Sequence, residues 1–242
     1  KLIMNPTRYA RICQMMAMRQ PDLTVCLEEV HKSHNVAAVI RTADAVGIPK
    51  IHAIWPEEKM RMLVSPAAGS NSWVNVNTHP TIADAINTFR AQGMQVLATH
   101  LSDKAVDFRE IDYTQPTCII MGQEKTGISP EAIALADQDI IVPMMGMVQS
   151  LNVSVASALI LYEAQRQRQA AGMYNRTESA LTAEEQQILL FEGGYPVLAE
   201  VSRRKGLPRP YINDRGEIEA PDSWWAEMQM TQKQLRKFKL TE

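Results

Sequence analysis

A mostly parallel α/β sheet covered on both faces, with helical extensions at both ends, is the fold class this sequence predicts. Three observations lead there. From residue 21 to about 165, short apolar runs alternate with longer amphipathic stretches, the rhythm of strand–helix–strand units. Glycine-bearing loops follow three of the apolar runs, where open parallel sheets hold their ligands. Outside that stretch the pattern is helical, and basic residues collect toward the two ends.

The elements follow in order. Residues 5 to 19 are expected to form a short helix that Pro21 ends, since the residue before a proline leaves the helical region. Leu23 to Leu27 reads as a strand, and Asn35 is placed to cap a helix over Val36 to Val46 that Gly47 closes. Ile51 to Trp55 and Trp73 to Val76 are short apolar runs and therefore strands, and Thr81 to Ala91 is an amphipathic helix with Gly93 behind it. Val96 to Leu101 and Thr117 to Met121 are strands, Pro130 to Ala136 a short helix, Ile140 to Pro143 a strand and Leu151 to Gln169 a long helix. Beyond it, Ala183 to Phe191 and Pro196 to Lys205 read as helices around a hinge at Gly193-Gly194; a loop-like stretch with Trp224 and Trp225 and a charged last helix follow. This divides the chain into an extension at 1–20, a core at 21–165 and an extension at 166–242.

With 242 residues, 45% hydrophobic and 21% charged, the chain has enough apolar content for a full core, which excludes disorder throughout. No apolar run is long enough to span a bilayer. The opening KLIMNPTRYARICQ lacks the architecture of a signal peptide, so a cytoplasmic location is expected, with Met4 as the biological start. Cys13, Cys26 and Cys118 are too few and too scattered for a disulfide framework or a cysteine zinc site, and His31 with His34 lacks a third ligand nearby; no metal is expected. The net charge of −2 favours no polyanion by itself. Its distribution is more telling: residues 1–20 carry Lys1, Arg8, Arg11 and Arg19 and no acid, residues 21–160 hold 9 bases against 15 acids, and residues 161–242 hold 12 of each. Arg8, Arg11 and Arg19 are spaced to share one helix face, which is either a grip for a polyanion or a solvated surface.

Neither a P-loop, nor a G-x-G-x-x-G fingerprint, nor a G-x-S-x-G elbow is present, which disfavours kinases, dinucleotide oxidoreductases and α/β-hydrolases. Polar residues gather instead at three strand ends. In HNVAAVIRTADAVG, Val36, Val39, Ile40, Ala43 and Val46 make the apolar stripe, and Arg41 lies on the far side among Ala37, Ala38 and Ala45, where a ligand or another backbone can approach closely. In MGQEKTGIS, residues 121–129, Gly122 and Gly127 free the backbone after a strand. In IVPMMGMVQSLNVSVASALILYE, residues 141–163, Pro143 and Gly146 break a strand into a loop before a long helix that Ser150 or Asn152 caps. Each segment alone reads equally as ordinary structure; three such loops at one edge of a parallel sheet converge on one crevice.

These three segments resemble, in order and spacing, motifs 1, 2 and 3 of the SpoU branch of the SPOUT superfamily of S-adenosylmethionine-dependent RNA methyltransferases. MNPTRYARI and FEGGYPVLAEVSRRKGLP resemble the flanks of those members that methylate the ribose 2′-hydroxyl of guanosine-18 in the tRNA D-loop. The resemblance spans Met4 to about Trp225 and leaves TQKQLRKFKLTE unmatched. It implies a SPOUT α/β-knot, with a deep C-terminal trefoil knot that general connection rules would not propose, and a homodimer whose interface completes each active site. It implies S-adenosyl-L-methionine held at Thr99, Leu101, Gly122, Val142, Met147, Leu151 and Val153, and no metal. Arg41 matches the family's catalytic arginine, with Asn35, Glu124, Ser150 and Asn152 beside it in the motifs. Arg8, Arg11, Arg19, Arg166, Arg168 and Arg176 resemble tRNA-contacting arginines, to which Lys32 and His34 are added; both extensions are then tRNA-binding. Phe191 and Tyr195 are open to two readings, base stacking or core packing. Two alternatives remain: a 2′-O-methyltransferase of ribosomal RNA or another tRNA position, and a tRNA-binding or RNA-chaperone protein with secondary catalysis.

Overall fold

The computed structural model describes residues 3–55, 73–123 and 126–228. The chain divides into two compact units: Gln20–Asn175, and Lys1–Arg19 together with Arg176–Glu242. Helix α1 (Pro6–Ala17) opens the second of these, and Asn5 caps it by accepting a hydrogen bond from the Thr7 N–H at 2.9 Å.

In the first unit the described residues form one sheet from β1 (Leu23–Glu28), β2 (Lys50–Ile54), β3 (Asn75–His79), β4 (Gln95–Thr99), β5 (Val106–Asp107), β6 (Thr117–Met121) and β7 (Gln138–Ile141). Their order is β3-β2-β1-β6-β4-β7-β5, and every pairing is parallel. Helices α2 (Ser33–Ala45), α3 (Ile82–Ala91), α4 (Pro130–Leu135) and α5 (Val153–Ala170) cover it. Alternate residues of the central strands enter different cores, as the two-residue period of a strand requires. Val25, Leu27, Ile119 and Met121 pack with α2 and α5, whereas Cys26, Cys118 and Ile120 pack with α3 and α4. The mostly parallel, doubly covered sheet expected from the sequence is what forms.

The differences have local causes. Residues 166–175, assigned to the tail from charge, belong to the first unit, and the first five of them, to Ala170, continue α5. Strand β3 begins two residues after the expected Trp73 and runs on to His79; it lies at the sheet's edge, where its mostly polar side chains are exposed or partly exposed, so the apolar run at 73–76 marks only its start. Strand β7 begins at Gln138 rather than Ile140, because its polar residues are spent on neighbours: Gln138 donates to the Lys104 carbonyl at 2.8 Å, and Asp139 accepts from the Ser102 hydroxyl at 2.6 Å. The two-residue β5 and the 3₁₀ turn Phe108–Glu110 left no readable signal.

In the second unit, α6 (Ala183–Gly194) starts from a capping box in which Thr182 and Glu185 satisfy each other's backbone N–H groups. The expected hinge at Gly193-Gly194 is helical instead. A Cβ on Gly194 would meet the end of the Met4 side chain, which would have to shift to admit it. Helix α7 (Pro196–Arg204), a two-stranded antiparallel pair β8 (Tyr211–Ile212) and β9 (Ile218–Glu219), and α8 (Asp222–Glu227) follow among the described residues. Phe191 and Tyr195 are buried, with the Tyr195 hydroxyl donating to the Gly216 carbonyl and Phe191 edge-on to Trp224, so core packing is their role here. The expected last helix lies outside the described residues.

A pair of histidines is expected to make the first unit acid-sensitive. His52 on β2 lies under Phe89, and its Nδ1 is 2.8 Å from His79 Nε2 on β3. Burial pushes the His52 pKa down to about 3, and the neighbouring His79 and Lys50 oppose added charge. Burial also lowers His79, with Asp84 opposing. The unfolded chain takes up protons below the ordinary histidine pKa of 6.5 while the folded protein does not. Stability from these groups is therefore complete above that pH and declines as pH falls toward 3. Thermal melts are expected to weaken steadily below about pH 6, and His52→Gln should flatten that slope. Equal slopes in the two proteins would refute the assignment.

Candidate functional site

The chain runs outward from β1 to β2 and β3, crosses to β4 on the other side of the sheet, and returns as β6 between β1 and β4. The carboxyl ends of β4, β6 and β7 therefore open into one crevice. A cavity of about 920 Å³ occupies it. Thr99, Leu101, Gly122, Val142, Met147, Leu151 and Val153, the residues expected to hold a cofactor, all line it. Among the described lining residues His100 is the sole titratable side chain, and the rest are glycines, apolar residues and neutral polar groups. Such a lining suits a ligand that needs an apolar slot and backbone partners, as an adenosyl group does.

The loop after β6 is folded tightly. Gln123 and Gly127 exchange backbone hydrogen bonds at 3.0 and 2.9 Å, and Gly127 has a φ of 71°. A Cβ on Gly122 would collide with the Gly127 carbonyl and the Ile128 nitrogen, so only glycine fits. Gly122→Ala is expected to force the loop open and raise the dissociation constant of the cavity's ligand by at least about tenfold, since the obstruction is backbone and cannot rotate away. Calorimetric titration checks this; unchanged affinity would show that the loop's form is irrelevant. Glu124, expected in this loop, lies outside the described residues.

Asn152 caps α5, accepting from the Ser154 N–H at 2.8 Å, and its Nδ2 donates to Asn35 Oδ1 at 3.2 Å. The expectation that Asn35 caps α2 is corrected: it is a buried residue in that helix's first turn, where it meets the start of α5. Ser150 is exposed at the cavity wall and is not the cap. Arg41 is exposed on α2, on the face opposite the buried Val36, Val39, Ile40 and Ala43, and is not among the cavity's lining residues.

The basic residues separate into two kinds. Arg11, Lys32, His34 and Arg176 are exposed. Arg166 is exposed as well, held by Glu163 through two bonds of 2.8 Å. Arg8 is half-buried and donates to the Gly193 carbonyl at 2.7 Å. Two expectations are corrected. Arg19 falls beyond the end of α1 and is buried, so no single helix face presents Arg8, Arg11 and Arg19. Arg168 is fully buried in a network with Asp22, Gln20 and the carbonyls of Tyr113 and Gln115. Sequence reasoning also passed over Glu28 and Gln123, which shape this edge of the sheet; an acid directly after the apolar run Leu23 to Leu27 is the one sequence signal that could have found Glu28.

A parallel sheet with a glycine-bearing cavity at its carboxyl edge, poor in charge among its described lining residues, defines an α/β protein with a ligand crevice at its strand ends. The SpoU rRNA Methylase family matches residues 22–162, and the C-terminal SpoU rRNA methylase family matches residues 166–221; the chain belongs to the SpoU methylase family. It is 74% identical over 226 residues to the tRNA (guanosine(18)-2′-O)-methyltransferase of Escherichia coli K12, covering 93% of this chain and 99% of that one. Among solved structures, the A. aeolicus TrmH/SpoU tRNA modifying enzyme superposes with a TM-score of 0.69 at 41% identity, covering 78% of this chain and 96% of that one. The AdoMet-bound rRNA methyltransferase from Sinorhizobium meliloti superposes with a TM-score of 0.55 at 32% identity, over 62% of this chain and 59% of that one.

Proposed function

We propose that this protein transfers a methyl group from S-adenosylmethionine to the ribose 2′-hydroxyl of guanosine-18 in tRNA, in the cytoplasm. The observation that carries the reading is the near full-length identity to a relative of that name, joined to a cavity lined by all seven residues expected to hold the donor. The donor supplies a methyl group on a cationic sulfur. Thr99, Leu101, Gly122, Val142, Met147, Leu151 and Val153 hold it through backbone groups and apolar contact. Arg41 stays protonated and stabilises the alkoxide that develops on the ribose oxygen, because a guanidinium is a poor base. Asn35, Glu124, Ser150 and Asn152 orient Arg41 and the ribose, and no metal takes part.

The core carries the family's trefoil knot, and the protein acts as a homodimer. Support for the dimer comes from α5, where Val155, Leu159 and Tyr162 form an exposed stripe at helical spacing, and from Met145 and Met147, both exposed in the loop before α5. Arg41 lies off the cavity lining of its own chain, which fits a site completed by a second copy. The extensions at both ends bind tRNA phosphates through Arg8, Arg11 and Arg176, joined by Arg166 on α5 and by Lys32 and His34 beside the first motif. Nucleoside mass spectrometry of unmodified tRNA incubated with protein and donor tests the reading. It requires 2′-O-methylguanosine in the D-loop, and donor binding without tRNA methylation would redirect the assignment to ribosomal RNA.

A further inference from the structure

Two consecutive carboxylates at the end of β1 reach one loop at its opposite ends. Glu28 is buried, and its oxygens accept from the Ser129 backbone N–H at 2.8 Å and the Ser129 hydroxyl at 2.6 Å. Glu29 is exposed and accepts from Gln123 Nε2 at 2.5 Å. Neighbouring residues of a regular strand point to opposite faces, so straight backbone would not bring both to the same loop. The chain turns instead at Glu29, whose φ of 52° is the sole positive value on a non-glycine among the described residues. Glycine adopts that conformation freely and glutamate does not, so a glutamate kept there points to a use for its side chain.

The bracketed segment forms one wall of the cavity: Gly122, Gln123, Thr126 and Gly127 all line it. By sequence it also contains Glu124. Ser129 is fully engaged, its proton going to Glu28 while its oxygen accepts from the Ala132 N–H at 3.1 Å to cap α4. Glu28 thus fixes the far end of the loop to both the sheet and a helix, and Glu29 fixes the near end.

We propose that Glu28 and Glu29 are positioning residues for the methyl donor, holding Gln123 at one end and Ser129 at the other so that Gly122, Gln123, Thr126 and Gly127 keep the form that receives it. The inference rests on the cofactor reading above. It assigns the clamp to donor affinity.

The test is calorimetric titration with S-adenosylmethionine in the absence of RNA, paired with thermal melts and with amide hydrogen exchange across residues 122–129. Glu29→Gly removes the latch and the backbone strain together. The expected result is an equal or higher melting temperature with donor affinity weakened about tenfold, the order lost with one hydrogen bond to a charged group. A raised melting temperature with unchanged affinity and unchanged exchange would overturn the latch, leaving Glu29 a strained turn residue. Glu28→Gln keeps the size but presents an N–H toward Ser129, and should weaken affinity by a similar factor. Ser129→Ala should add little to Glu28→Gln, whereas fully additive losses would overturn their coupling. A wild-type protein that binds no donor sinks the cofactor reading and the proposal with it; a wild type that binds, with variants that bind equally well, sinks the clamp alone.

Discussion

Arg41→Ala is expected to lower the rate of 2′-O-methylation by about a thousandfold while leaving donor affinity and fold intact. Arg41 is exposed on α2, its helix is held by apolar residues on the opposite face, and it does not line the cavity. Truncation therefore removes a charge without opening a core or a donor contact, and the melting temperature should barely move. The ribose hydroxyl is a very weak acid, and the negative charge building on its oxygen is what a fixed guanidinium stabilises most. Arg41→Lys separates the two roles open to this residue. A charged stabiliser is partly replaced by an ammonium, so Lys should recover a measurable share of the rate, with the pH profile unchanged. A general base with its proton removed by the surroundings would give Arg41→Lys a profile shifted by the lysine's own titration. Single-turnover methylation of tRNA across pH measures both, and a collapse of donor affinity in Arg41→Ala would instead place the residue in the donor site.

The parts of the site that were legible in advance are those carried by local pattern. The glycines at 122 and 127 follow a strand, the apolar stripe of α2 leaves Arg41 on the outer face, and a proline–glycine loop precedes α5. What escaped depends on contacts distant in sequence. Asn35 has the composition of a cap, yet tertiary contact with Asn152 extends α2 back to Ser33 and buries it. Glu28 acquires its meaning from Ser129, one hundred and one positions on. Gly194 read as a hinge because glycine disfavours helices, yet it closes α6, where the Met4 side chain packs directly against it. The arginines misled most. Long cations are mostly exposed, and spacing alone cannot distinguish a phosphate ligand from a buried strut.

Arg168 makes that difference measurable. Its Nη1 donates to Asp22 Oδ1 at 2.5 Å and to Gln20 Oε1 at 3.1 Å, its Nε to the Tyr113 carbonyl at 2.8 Å, and its Nη2 to the Gln115 carbonyl at 3.1 Å. These partners come from the segment before β1 and from the turn before β6, so one guanidinium joins α5 to two separate loops. Arg168→Ala strips partners from several acceptors at once and is expected to cost about 3–5 kcal/mol in chemical denaturation. Lysine offers a compact charge without the planar fork, so Arg168→Lys should recover only part of the loss. The exposed Arg176 has the opposite signature: Arg176→Ala should leave stability unchanged and reduce the salt slope of tRNA binding by about one. Arg168→Lys, assayed under conditions where it remains folded, should leave that slope where it was. A reduced slope with full stability would return Arg168 to the RNA-contacting set, because a strut and a phosphate ligand cannot both give that pair of results.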